Sequence, residues 1–246
     1  MFKAKFPVKV PELAEFEAYP NRDSIPYSKI YGIEEAHTVF RGTFRNTGWC
    51  SAWYDFVALG LTDQKFNIPE DCKTYGQLLS LIGKFNGTGN DTSIESLKNA
   101  VVANLKCSEE SSTVIALQWL GYFSDTPLPS DKKSPFEVMV HTLSSKMAYK
   151  DGERDMIVLL HRFICEGKDG KKQNVTSTMI DYGIPHGDSA MARTVSLPPA
   201  IGVKIICEDK ISLTGVQIPV AKEIYEPILK ELEELDIVCV EKYTDI

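Results

Sequence analysis

The hydrophobic period changes twice along this chain, and those changes constrain its fold more than any single motif. Up to about residue 46, apolar and polar residues alternate as in strands, first in LAEFEAYPN and then in HTVFRGTFR, with a short helix expected near Tyr27 to Gly32. In the second segment Phe40, Gly42 and Phe44 fall on one face, and Arg41, Thr43 and Arg45 on the other. From about Gly48 to Tyr149 the spacing becomes helical. WCSAWYDFVALG places Ala52, Trp53, Phe56 and Val57 on one stripe and stops at Gly60. Thr92-Ser93-Ile94-Glu95 and Ser134-Pro135-Phe136-Glu137 read as capping boxes, and about five helices are expected in this block. The strand period then returns in DMIVLLHRFICEG and KKQNVTSTMIDYG, joined through Lys168-Asp169-Gly170, whose Asp-Gly pair favours a tight hairpin turn.

The expected architecture is α+β with an α/β-like character. Residues 1–46 and 150–187 would form one mixed, largely antiparallel sheet domain, with residues 47–149 inserted as an all-helical subdomain. Residues 188–246 supply C-terminal elements: a helix from about Ser189, interrupted at Pro198-Pro199 and restarted to Glu208, a helix near Lys222 to Leu235, and a last strand from Ile237 to Tyr243.

With 246 residues, 43% of them hydrophobic, the chain can bury a sizeable core. The net charge of -7 argues against nucleic acid and anionic membrane, which need a positive field on the binding face. No apolar run reaches the roughly 18 residues of a membrane span. The chain therefore reads as soluble and intracellular, with a small molecule or another protein as partner. Six scattered cysteines, without a CxxC pair, read as reduced core thiols, and the four histidines lack metal-ligand spacing, so no metal is expected.

Arginine is scarce, six against 21 lysines, and four of the six lie in short polar motifs beside strands: Arg22 in NRDS, Arg41 and Arg45 in FRGTFR, and Arg154 in GERD. A guanidinium grips a carboxylate with two parallel hydrogen bonds, so an arginine-lined face suits a ligand with several carboxylates. Arg41 and Arg45 would stand roughly 13 Å apart on one strand. The same arginines could instead pair with Asp23, Glu153 and Asp155 in ion pairs that serve only the fold. The cluster Asn86 to Asn90 lacks the strand and the third glycine of a dinucleotide fingerprint and reads as a loop. The passage from Gly183 to Ser189 leads a strand into a helix, where free N–H groups could hold an anion, with Asp188 or Ser189 as cap. His186 in that loop is the histidine suited to carry a proton.

Six blocks in order, EAYPNRDS, YGIEEAHTVFRGTFRNTGW, ALQWLGYFSD, GERDMIVLLH, DSAMARTVSLPPAI and GVQIPVAKEIYEPILKELEE, resemble the C-terminal two-thirds of glutamate-forming saccharopine dehydrogenase. The same unit occurs in bifunctional aminoadipic semialdehyde synthases. The resemblance implies NADP-dependent interconversion of saccharopine with aminoadipic semialdehyde plus glutamate, in the cytoplasm or alternatively the mitochondrial matrix. It also implies that a Rossmann domain carrying the GxGxxG turn precedes this portion and is supplied in cis or in trans. On this reading Arg22, Arg41, Arg45 and Arg154 hold carboxylates, and Asn21, Ser24 and Thr43 add neutral hydrogen bonds. Asp23, Asp155 and His186 are the candidates for proton transfer, and Ser189 and Met191 lie near the cofactor. A homodimer is a further expected assembly. Two other readings compete: a carboxylated-polyamine dehydrogenase of similar build, and a non-catalytic interaction module.

Overall fold

The computed structural model describes residues 1–85 and 93–246. The glycine-rich loop expected at Asn86 to Asn90, and Thr92 of the first expected capping box, lie outside the described residues. The chain divides into two compact units. One comprises Met1–Lys9, Glu15–Ser24 and Thr38–Ala148, and the other Val10–Ala14, Ile25–His37 and Tyr149–Ile246.

In the first unit, β1 (Phe6–Lys9), β2 (Glu15–Pro20) and β3 (Gly42–Asn46) form an antiparallel sheet in that order, and Tyr19 stands opposite Thr43 and Glu17 opposite Arg45. Five helices follow: α2 (Trp49–Leu59), α3 (Tyr75–Gly83), α4 (Ile94–Leu105), α5 (Ser112–Leu120) and α6 (Pro135–Lys146). Their starts follow from local hydrogen-bonding chemistry. Ser134 accepts from Glu137 N while the Glu137 carboxylate reaches back to Ser134 N, a complete capping box with Pro135 in the first turn. Thr74 and Gln77 form the same device at α3. At α4 the cap is Ser93, whose side chain accepts from Ser96 N.

The helices bury one shared core that includes Phe56, Leu59, Leu78, Leu79, Leu97, Val101, Leu117, Tyr122 and Met139. Each such apolar side chain contributes about 1.5–3 kcal/mol when fully removed from water. The α2 stripe is rotated from the expected one: Cys50, Ala52, Phe56 and Leu59 face inward, and Val57 is exposed.

The second unit holds α1 (Pro26–Tyr31), β4 (Met156–Glu166), β5 (Lys172–Tyr182), α7 (Ala190–Cys207), α8 (Lys222–Glu234) and β6 (Val240–Asp245). β4 and β5 make the expected hairpin, with Gly170 in its turn at φ +78°, and β6 pairs with the far side of β5. This corrects the expectation of one mixed sheet. Among the described residues β1–β3 and β4–β6 form two separate antiparallel sheets, with the C-terminal strand β6, and not an N-terminal strand, on the second edge of β5. The N-terminal strands instead group with the helices that follow them.

α7 runs unbroken through Pro198 and Pro199, against the expected interruption. Each proline removes one N–H donor, a local loss. Ile201 and Ile205 beyond them are buried with Met179, Leu232 and Ile237, and that packing carries the helix through. By length and composition α7 is also apolar enough to cross a bilayer, against the expectation that no apolar run reaches a membrane span. Here it turns Ile201 and Ile205 into a core and Arg193 onto a buried carboxylate. All six cysteines are free. Cys50 is buried, but Cys165, Cys207 and Cys239 are exposed, so half of the expected core thiols lie at the surface.

Candidate functional site

The candidate residues fall into two groups, one in each unit. In the first unit they gather where β2 ends and β3 begins. Asn21 Nδ2 donates to Thr43 Oγ1 at 2.6 Å, Asn21 N donates to the Arg41 carbonyl, and Ser24 Oγ donates to the Val39 carbonyl at 2.8 Å. Arg22, Asp23 and Arg41 are exposed on the surrounding chain. Arg41 lies outside the strand, because β3 starts at Gly42, so the 13 Å spacing derived from strand rise does not apply. Gly42 stands at a crowded point. A Cβ on Gly42 would sit 2.8 Å from the Tyr19 carbonyl oxygen and 2.8 Å from the Phe40 ring, so glycine alone lets Phe40 fold back and meet Phe6.

Arg45 points to the sheet face shared with Tyr19. Its guanidinium lies 4.8 Å from the centre of the Trp49 ring and 6.0 Å from that of Tyr19, and Nη1 donates to the Phe44 carbonyl. Stacking fixes the plane of the fork and leaves its remaining donors to face a ligand. Beneath it, Glu17 is buried. Its carboxylate accepts from Lys5 Nζ at 2.9 Å and from Cys50 N at the start of α2. Burial works against the charge on Glu17, but the Lys5 and Cys50 hydrogen bonds outweigh it and hold the carboxyl below the usual glutamate range. Burial, and then Glu17, push the Cys50 thiol up to about 11, which removes it as a nucleophile at neutral pH.

In the second unit Arg154, Asp155, His186 and Ser189 line one open hollow of about 290 Å³, together with Tyr149, Lys150 and Asp151. Arg154 stacks on Tyr182 at 4.8 Å. His186 sits at φ +57° with Nδ1 3.0 Å from Asp151 Oδ1, which leaves Nε2 for a ligand. Asp155 Oδ1 accepts from Ala190 N at 2.7 Å and Oδ2 from Met191 N at 2.8 Å, while Ser189 Oγ accepts from Ala192 N. A Cβ on Gly183 would fall against Asp155 Oδ1, so glycine there keeps the path to the helix open. Desolvation opposes the Asp155 charge, but the two N–H groups prevail and keep its carboxyl below the ordinary aspartate range.

This overturns the expected anion site. The first N–H groups of α7 are already bonded within the protein by Asp155 and Ser189, and of the two expected caps it is Ser189 that serves, not Asp188. The residues do not fit the pyrophosphate of a dinucleotide, since a carboxylate holds the place where it would bind. Among the described residues, no group of three or more His, Cys, Asp or Glu stands where it could hold a metal ion.

The sequence reading missed a largely buried ion pair of the second unit. Arg193 Nη1 meets Asp181 Oδ1 at 2.9 Å and Nη2 meets the Leu235 carbonyl at 2.7 Å. The available signal was a lone Asp at the end of a strand, on the face turned toward a helix that carries an arginine.

A family model described as the saccharopine dehydrogenase C-terminal domain matches residues 1–237. The chain belongs to that family. Among its relatives, the saccharopine dehydrogenase [NADP(+), L-glutamate-forming] of Pyricularia oryzae is 35% identical over 235 residues, covering 92% of this chain and 51% of its own length. The mitochondrial alpha-aminoadipic semialdehyde synthase of Rattus norvegicus is 37% identical over 226 residues, covering 90% of this chain and 24% of its own length. The solved apo structure of the L-Glu-forming saccharopine dehydrogenase from Saccharomyces cerevisiae superposes with a TM-score of 0.88 at 32% identity, over 99% of this chain and 55% of that one. The chain thus spans about half the length of its fungal relatives and about a quarter of the rat one.

Proposed function

We propose that this chain is the substrate-holding part of an NADP-dependent, L-glutamate-forming saccharopine dehydrogenase, and that the dinucleotide is bound by a domain outside it. The observation that carries the reading is family membership across residues 1–237, shared with fungal relatives named for that reaction. In the complete enzyme saccharopine, NADP⁺ and water give aminoadipic semialdehyde, glutamate, NADPH and a proton. NADP supplies the hydride acceptor, and this chain supplies the grip on the amino acid.

Saccharopine carries three carboxylates, and a guanidinium fork is the group suited to each; Arg22, Arg41 and Arg45 offer such forks in the first unit and Arg154 offers one in the second. The stacking of Arg45 on Trp49 and of Arg154 on Tyr182 supports this, because a guanidinium held by one face loses little freedom when it binds. Asn21, Ser24 and Thr43 add neutral hydrogen bonds beside Arg41 and Arg45. His186, held at Nδ1 by Asp151, is the proton carrier the geometry favours through Nε2. Asp155 is better suited to anchor α7, because each of its oxygens accepts from an amide and the carboxyl is thereby held below the ordinary aspartate range, which makes it a weak base. Asp23 remains a second candidate for proton transfer. Ser189, the cap of α7, and Met191 in its first turn are proposed to lie near the cofactor without binding its pyrophosphate, whose place Asp155 holds. The cytosol is the proposed compartment, with the mitochondrial matrix as the alternative that the rat relative's name suggests.

The test is steady-state kinetics of the complete enzyme. Arg41→Leu should raise the KM for saccharopine at least about tenfold, the loss expected for a charged hydrogen bond worth about 1.5 kcal/mol or more. NADPH affinity should stay nearly unchanged. Normal kinetics would remove Arg41 from the site, and clear NADPH binding by the 246-residue chain alone would contradict the placing of the dinucleotide elsewhere.

A further inference from the structure

Glu17 and Arg45 face each other across β2 and β3 and yet do not pair. They are register partners, so their side chains leave the same face of the sheet with Cβ atoms about 4.5–5.5 Å apart. That separation suits a two-bond grip between carboxylate and guanidinium. The Glu17 side chain is only 6% exposed, and a carboxylate taken that far out of water needs a cation or several donors to stay charged. Arg45 nevertheless lies over Trp49 and Tyr19, and among the described residues its hydrogen bond goes to the Phe44 carbonyl, not to Glu17.

The second unit shows what a buried carboxylate does with an arginine when no lysine bonds it. The Asp181 side chain, 5% exposed, takes Arg193 Nη1 at 2.9 Å, and that arginine is spent on the fold. In the first unit the difference is Lys5. Its Nζ donates to Glu17 Oε2 at 2.9 Å and to Ser51 Oγ at 2.6 Å, while Glu17 Oε1 accepts from Cys50 N. Both carboxylate oxygens are thus engaged, and the ammonium cancels the charge that would draw Arg45 off its rings.

The same bonds hold the first turn of α2, where Trp49 stacks on Tyr19 at 5.8 Å with the planes 11° apart. The platform under Arg45 and the removal of its rival therefore have one source. Lysine suits the task, because an ammonium is a compact charge without the flat fork that would compete for a ligand carboxylate.

We propose that Lys5 is a positioning residue for the amino-acid site: it occupies Glu17 and so keeps the fork of Arg45 open to a ligand carboxylate. Lys5 has this role only if Arg45 holds a carboxylate of saccharopine, as proposed above, and the experiment separates the two.

That experiment is steady-state kinetics of the complete enzyme, with circular dichroism and tryptophan emission as folding controls. Lys5→Met frees one oxygen of Glu17 to capture Arg45, and the KM for saccharopine should rise about tenfold, the scale of a charged hydrogen bond that the ligand must displace. kcat and the KM for NADP⁺ should change less than about twofold, because the loss falls on ground state and transition state alike. Adding Glu17→Gln removes the rival charge and should return the saccharopine KM to within about twofold of wild type. A Lys5 that served only the fold would give the opposite, since the second change weakens the same contacts further. In an Arg45→Leu background Lys5→Met should add nothing, because both changes act through one fork. A raised KM in Arg45→Leu with a normal one in Lys5→Met overturns the role of Lys5 alone. So does a Lys5→Met defect that persists with Glu17→Gln or adds to that of Arg45→Leu. A normal KM in Arg45→Leu overturns the reading of Arg45, and the role of Lys5 with it. Lys5→Gln keeps a donor for Glu17 without the charge and decides the matter if Lys5→Met does not fold. Its KM should rise about threefold, since a neutral donor holds a carboxylate about half as strongly, and a normal KM overturns the proposal.

Discussion

Arg193→Met tests how the second unit is held together. The Arg193 side chain is 15% exposed and that of Asp181 only 5%, so their 2.9 Å contact lies almost wholly out of water. Asp181 Oδ2 is buried without a hydrogen-bond partner among the described residues, which leaves Arg193 as the whole compensation for that carboxylate. Removing one partner of a buried pair costs about 3–5 kcal/mol, because the other charge stays behind. The residual exposure of Arg193 lets some water in and argues for the lower end, about 3 kcal/mol, or roughly 6–12 °C in Tm for a chain of this size. The loss of the 2.7 Å bond to the Leu235 carbonyl should also loosen the end of α8.

Thermal unfolding should be followed by far-ultraviolet circular dichroism, with hydrogen exchange resolving α7 and α8. Trp49, Trp53 and Trp119 all belong to the first unit, so tryptophan emission reports on the wrong part of the chain. The double variant Arg193→Met with Asp181→Leu should recover most of the loss, since a well-packed apolar pair replaces an ion pair at little cost. A loss below about 1 kcal/mol in the single variant, or a double variant as unstable as the two singles added together, would refute the reasoning.

Glu17→Gln should cost about 1–3 kcal/mol at neutral pH, the worth of a largely buried hydrogen bond to a charged group. Because the folded carboxyl titrates below its usual value, its stabilisation is present above the ordinary glutamate range and is lost as pH falls through the folded value. Wild-type and variant urea midpoints should therefore converge in acid. Asp155→Ala frees two amides of α7 and should cost about 1–2 kcal/mol, with faster exchange at Ala190 and Met191. Its depressed titration gives the same pH sign, and Gly183→Ala should reproduce the defect by displacing the carboxylate. Gly42→Ala should destabilise the first unit by about 1–3 kcal/mol, read from tryptophan emission, since the added methyl meets the backbone of Tyr19.

What could be read without coordinates is what short stretches decide for themselves. The Ser134–Glu137 box, the Gly60 stop of α2 and the Asp169-Gly170 turn each rest on residues within a few positions of one another, where backbone hydrogen bonding and allowed dihedrals act alone. The polar motifs around Arg22, Arg41, Arg45 and Arg154 were visible for the same reason, as scarce residue types in short runs. What those side chains meet was not. The stacking of Arg154 on Tyr182, the delivery of Asp155 to amides 35 and 36 positions away, the pairing of Arg193 with Asp181, and the choice of β6 over the N-terminal strands as partner for β5 all join distant segments. An alternating pattern says that a strand has two faces and two edges, but not which strand will fill them. Pro198 and Pro199 make the point in reverse: the local rule breaks the helix, and the burial of Ile201 and Ile205 against other elements keeps it whole.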